Sequence, residues 1–122
     1  MNTNATRIVS WVLALIFLLS GGAKLVGLEF EIEAFTRWGY PLWFMYLAGA
    51  LEVIGGIALL VPRVSALASA GLAAFMIGAV ATHVVHTEWA MLVVALAIML
   101  TAAWRAWAGT SDILAVRTAP LS

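Results

Sequence analysis

Apolar residues in this chain do not alternate with polar ones; they come in four long runs broken by short clusters of glycine, proline and charged residues. The runs cover about residues 8–26, 42–61, 64–85 and 89–107. Each approaches the roughly 20 residues that a helix needs to cross a hydrocarbon core about 30 Å thick. A barrel of strands would need many alternating segments of about 10 residues, and the chain has none. Backbone amides in lipid must be satisfied within their own segment, so the pattern predicts four transmembrane helices.

The breaks between the runs predict the topology. Pro62 and Arg63 stop the second span and start the third, because proline cannot donate to a continuing helix. Thr87 and Glu88 form an equally short break before the fourth. Spans two to four are therefore expected to pack as consecutive antiparallel neighbours. The connection between the first two spans is longer. In it Leu28, Ile32 and Phe35 share one side, while Glu29, Glu33 and Arg37 follow an i, i+4, i+8 row on another, ended by Gly39, Tyr40 and Pro41. We read residues 28–38 as an interfacial helix rather than a loop, roofing one end of the bundle. The expected fold is thus an all-α integral membrane four-helix bundle, a single domain with a short flexible tail over residues 108–122.

Composition agrees with lipid as the solvent. The chain has 122 residues, 65% of them apolar and 10% charged, with a mean hydropathy of +1.08. Soluble domains average about 45–50% apolar and about 25% charged. Six basic and six acidic side chains cancel, which leaves no basic surface for nucleic acid. The absence of cysteine excludes disulfides, thiolate nucleophiles, iron–sulfur clusters and cysteine-ligated zinc. Arg7, the apolar run after it, Gly21 and Ala23 mimic a signal peptide with its cleavage site, but removing them would leave only three spans. Arg7, Arg63, Arg105 and Arg117 flank the ends that share a side with both termini, so the positive-inside rule places both termini in the cytoplasm. Trp11, Trp104 and Trp107 mark that interface, and Trp38, Tyr40, Trp43 and Trp89 the opposite one.

A few residues break the apolar rule at a cost. A charged side chain near the bilayer centre costs about 2.5–3.5 kcal/mol even on insertion scales. Glu52 lies ten residues into the second span, and at a rise of 1.5 Å per residue it sits about 15 Å deep. It cannot reach the headgroups, so it must be paired, protonated or in contact with water. Ala48, Gly49, Glu52, Gly55 and Gly56 form one stripe of that helix, and Phe17, Ser20, Gly21 and Lys24 form one of the first. Antiparallel packing of these stripes would bring Lys24 to Glu52, with Ser20 as a further partner and Gly21, Gly49, Gly55 and Gly56 permitting close approach. Taken alone, Lys24 would snorkel to the headgroups. His83 and His86 could share a metal at i, i+3, but Glu52 lies too deep to join them, and bis-histidine haem ligation would need a second protomer. The expectation is no metal, with His86 interfacial and His83 facing the bundle, bonded to Lys24, to Glu52 through water, or to a ligand. Ala66, Ala70, Ala74, Gly71 and Gly78 suggest a close-packed face of the third span.

These residues, in their order and spacing, resemble the DoxX-like family of four-span bacterial membrane proteins. The likeness rests on Phe17, Ser20, Gly21 and Lys24; on residues 35–41; on Glu52-Val53-Ile54-Gly55-Gly56 with Leu59, Leu60 and Pro62; and on residues 79–83. The resemblance implies a multi-pass protein of the bacterial cytoplasmic membrane, acting as a membrane subunit of an oxidoreductase system. A quinone would suit such a role, with Lys24, His83 and Glu52 serving its carbonyls. A redox role would require a partner oxidoreductase subunit to deliver electrons, and a homo-oligomer is compatible with the sequence. The rival reading is a non-catalytic transport or scaffold bundle in which Lys24 and Glu52 only fix helix register.

Overall fold

The computed structural model describes residues 3–111 and 113. They form five helices: α1 (Thr3–Leu25), α2 (Glu29–Trp38), α3 (Leu42–Leu59), α4 (Ser65–Val85) and α5 (Trp89–Ala108). No strand occurs among the described residues. Four helices, α1, α3, α4 and α5, are long and apolar enough to cross a membrane. Most of the tail, Arg117 included, lies outside the described residues.

Three helix ends share one chemistry. Gly27 (φ 68°), Gly39 (φ 82°) and Thr87 (φ 53°) take left-handed backbone after α1, α2 and α4. In each case the next amide reaches back five residues, Leu28 to Ala23 O, Tyr40 to Phe35 O and Glu88 to His83 O, which satisfies carbonyls the helix leaves open. Glycine takes this conformation freely, whereas Thr87 has a Cβ and strains the turn that sets Glu88. Pro41 then starts α3 from extended backbone.

The spans pack as two close pairs, α1 on α3 and α4 on α5, with α3 joining the pairs through α4 and α2 lying on one end. Small residues set the closeness of the first pair. A Cβ built on Gly21 would stand 2.7 Å from Gly49 O, and one on Gly49 would stand 2.8 Å from the Lys24 Cβ. Gly56 faces Leu18 of α1, whereas Gly55 turns the other way, onto Leu72 of α4. The expected close-packed face at Gly71 and Gly78 is not there: a Cβ at either would meet nothing within 4 Å. Ala66, Ser69 and Leu72 make the buried face of α4 instead.

The core has two parts. Leu13, Ala14, Phe17, Leu59, Leu72 and Met76, with Ala95 and Ala102, fill the middle and the end carrying the N-terminus. Phe35, Met45 and Ala48 pin α2 to α3. Outward, Ile8, Leu15, Leu19, Ile54, Ile77, Val93 and Leu100 are each at least 60% exposed, an apolar belt that only lipid can cover. The protein is a multi-pass membrane bundle.

Candidate functional site

Between the two helix pairs, beneath α2, lies a cavity of about 930 Å³. Its wall is mostly apolar and aromatic, with Phe17, Phe35, Trp43, Phe44 and Phe75 among the lining residues. Volume and lining are those of a site for a lipid-soluble molecule of drug-like or cofactor size. Two polar clusters interrupt the wall.

The first is built around Lys24. Close approach of α1 and α3 at Gly21 and Gly49 lets the Lys24 Nζ reach Glu52 Oε1 at 2.7 Å. Nζ also donates to Ser20 Oγ at 2.8 Å and meets Glu31 Oε2 of α2 at 3.2 Å. The Glu52 side chain is 4% exposed, and those of Lys24 and Glu31 are 12% and 14% exposed. Lys24 therefore turns inward instead of snorkelling. Glu52 Oε1 and Glu31 Oε2 touch the ammonium without hydrogen-bond alignment and have no other partner, so both contacts are chiefly ionic. One ammonium has only three N–H groups, while two carboxylates offer about eight lone-pair sites, so the cluster is rich in acceptors.

The second cluster is built around Glu88, just before α5. Glu88 Oε1 accepts from His83 Nδ1 at 2.9 Å and from Trp38 Nε1 at 3.0 Å, and Oε2 accepts from Arg37 Nη2 at 2.8 Å and Nε at 3.2 Å. The His83 hydrogen bond holds the Glu88 carboxyl below its ordinary range, against the opposing effect of burial, with hydrogen bonds from Arg37 and Trp38 and the Arg37 charge adding to it. An ionised Glu88 can only accept, which places a proton on His83 Nδ1 and makes Nε2 of the neutral ring an acceptor. Nearby, the Thr82 hydroxyl donates to Gly78 O at 2.9 Å, so the Tyr40 hydroxyl must be the donor in its 2.9 Å contact with Thr82 Oγ1.

Of the residues singled out from sequence, Ser20, Lys24 and Glu52 come together directly. His83 is buried and lines the same cavity, but its direct partner is Glu88, not Lys24 or Glu52. His86 stays in the turn and donates from Nδ1 to Thr82 O at 2.8 Å. Glu31 and Glu88 were not anticipated as site residues. For Glu31 a signal existed, since it lies four residues before Phe35 and seven before Trp38, on the side of α2 that faces the bundle. For Glu88 there was none beyond its place in a turn, because its partners on α2 are about 50 residues away in sequence.

A third polar group lies at the opposite end of the bundle. Arg105 was expected at the headgroups but is 6% exposed, and its Nε donates to Ser10 Oγ at 2.6 Å. Ser10 also bonds Ser65 at 2.8 Å, and Arg105 Nη1 has no partner. Arg105 falls in line with Ala95 and Ala102 on the buried stripe of α5, which turns it inward. Leu13, Ala14, Leu59 and Leu72 separate this group from the cavity.

Comparison with known proteins gives a family but no reaction. A family model described as the DoxX-like family matches residues 8–105. The chain is 38% identical over 45 residues to the uncharacterized protein YdgD of Bacillus subtilis (strain 168), a stretch that is 36% of this chain and 40% of that relative. The match thus spans well under half of that relative's length. No solved structure matches.

Proposed function

This chain belongs to the DoxX-like family, and we propose that it is an accessory membrane subunit that binds a quinone or similar lipid-soluble ligand for a partner oxidoreductase. The supporting observation is that the buried Lys24, Glu31 and Glu52 cluster forms part of the wall of a 930 Å³ aromatic cavity set in lipid-facing helices. Paired charges that served only to hold helices together would have no need of an apolar chamber beside them. A flat, apolar ring suits Phe17, Phe35 and Phe75, while its oxygens need polar partners of the kind the two clusters supply. In this reading the protein sits in the bacterial cytoplasmic membrane with both termini in the cytoplasm, so that the cavity opens toward the outer face. Electrons come from a partner subunit.

One observation favours the second reading, a non-catalytic bundle in which Lys24 and Glu52 only fix register. All three N–H groups of Lys24 are directed at protein partners, Ser20, Glu31 and Glu52. Native mass spectrometry of the protein purified from its own membrane, with lipid extraction, separates the two. A quinone retained in the wild type and lost in Glu52→Gln supports the first reading. An apo-protein whose Glu52→Gln variant fails to assemble supports the second.

A further inference from the structure

Counting hydrogen-bond donors and acceptors around the cavity narrows the ligand further. Resting on the reading above, we infer that the site is built for a ligand that donates hydrogen bonds from both of its ends, so that it prefers a hydroquinone to the corresponding quinone.

The argument starts from the side-chain protons of the wall. The three N–H groups of Lys24 are spent on Ser20, Glu31 and Glu52. The Trp38 N–H is spent on Glu88, the Tyr40 O–H on Thr82, and the Thr82 O–H on Gly78 O. The His83 Nδ1–H is spent on Glu88. Arg37 gives Nε and Nη2 to Glu88, and its side chain is 57% exposed at the rim. Inside the cavity the Ser20 hydroxyl is the one side-chain donor with a proton to spare.

What the wall offers instead is lone pairs. At one end are the carboxylates of Glu31 and Glu52, each receiving at most one N–H from Lys24 against about four sites. At the other are His83 Nε2, which has no hydrogen-bond partner among the described residues, and the Tyr40 hydroxyl oxygen. A carbonyl oxygen facing these groups would leave acceptor against acceptor, both desolvated and unpaired, which is the arrangement that sites of this kind reject most strongly. A phenolic hydroxyl supplies the missing proton at either end. The ring between the two hydroxyls takes the aromatic wall.

The test uses the full chain in lipid nanodiscs, titrated without oxygen with a decyl-substituted benzoquinone and with the matching hydroquinone, followed by tryptophan fluorescence. The expected result is hydroquinone binding tighter by about tenfold or more. Equal or tighter binding of the quinone overturns the inference while leaving a lipid-soluble ligand in place. Binding of neither overturns the functional reading as well. Capture of a lipophilic cation such as tetraphenylphosphonium in preference to both also overturns the inference, because the acceptors would then serve a positive charge.

Two variants probe the accounting itself. In Glu88→Gln the amide can donate to His83 Nδ1, which moves the ring proton to Nε2 and turns that end into a donor. Nitrogen-15 spectra of the histidine ring should show the tautomer change, and the preference for hydroquinone should shrink severalfold. An unchanged preference with a changed tautomer refutes the role given to His83. Should that variant not fold, Tyr40→Phe removes one acceptor and no spare donor. Hydroquinone affinity should then fall severalfold and quinone affinity hold, and the opposite pattern overturns the inference.

Discussion

Gly21→Ala is the smallest change that should open the α1 and α3 pair. The new methyl would stand 2.7 Å from Gly49 O, 2.8 Å from Val53 Cγ2 and 2.9 Å from Glu52 Cβ. Ordinary contact begins at 3.4 Å, so the nearest atom must yield by about 0.7 Å, and that atom is a backbone carbonyl of a packed helix. A side-chain tip could swing aside, but here the whole helix has to move. Overpacking of this kind costs about 1–3 kcal/mol. The gain in helix propensity from glycine to alanine returns up to about 1 kcal/mol. The net loss should be about 1–2 kcal/mol. Because Lys24 lies one turn further along α1, the same displacement would stretch its 2.7 Å contact with Glu52 past hydrogen-bond distance. The assay is reversible unfolding in mixed micelles by titration with a denaturing detergent. Gly71→Ala is the internal control, since its Cβ meets nothing within 4 Å, and it should be neutral or stabilising by up to about 1 kcal/mol. If Gly21→Ala unfolds no more easily than Gly71→Ala, the steric account of this helix pair is wrong.

Lys24→Met should destabilise the bundle by about 3–5 kcal/mol, because it leaves two buried carboxylates without a counter-charge. Adding Glu52→Gln to it should recover much of that loss, and strict additivity in the double-mutant cycle would argue against direct coupling. Stability should also fall in acid as the Glu88 carboxylate takes up a proton. Its folded value is depressed, so its contribution is complete above the ordinary value of 4.5 and is lost as pH drops through the lower, folded value. Thermal melts between pH 6 and pH 3 should show this loss in the wild type and a shallower slope in Glu88→Gln, and equal slopes would remove Glu88 from the account.

Much of the architecture could be read from the chain because lipid enforces simple rules. Run length gave four spans, and Pro62 and Gly39 marked where helices had to stop. The meeting of Lys24 with Glu52 was also legible, since a stripe of small residues on each helix left one way to bury both charges. Glu31 was obscured by the regular row of Glu29, Glu33 and Arg37, which drew attention to the outward side of α2. Glu88 was hidden for a different reason: its role depends on Arg37 and Trp38 folding over from α2, a tertiary event with no local signature. Arg105 was misplaced because counting arginines for orientation ignores which side of the helix each one occupies. Its register with Ala102 would have put it indoors.

The apolar layer of Leu13, Ala14, Leu59 and Leu72 also has an electrical meaning. With no ionisable group bridging from Glu52 to Arg105, that half of the molecule behaves as an insulator between two conductors. Ions and protons admitted to the chamber must return by the door they used, and much of the membrane voltage falls across those leucines, away from the charged groups above them.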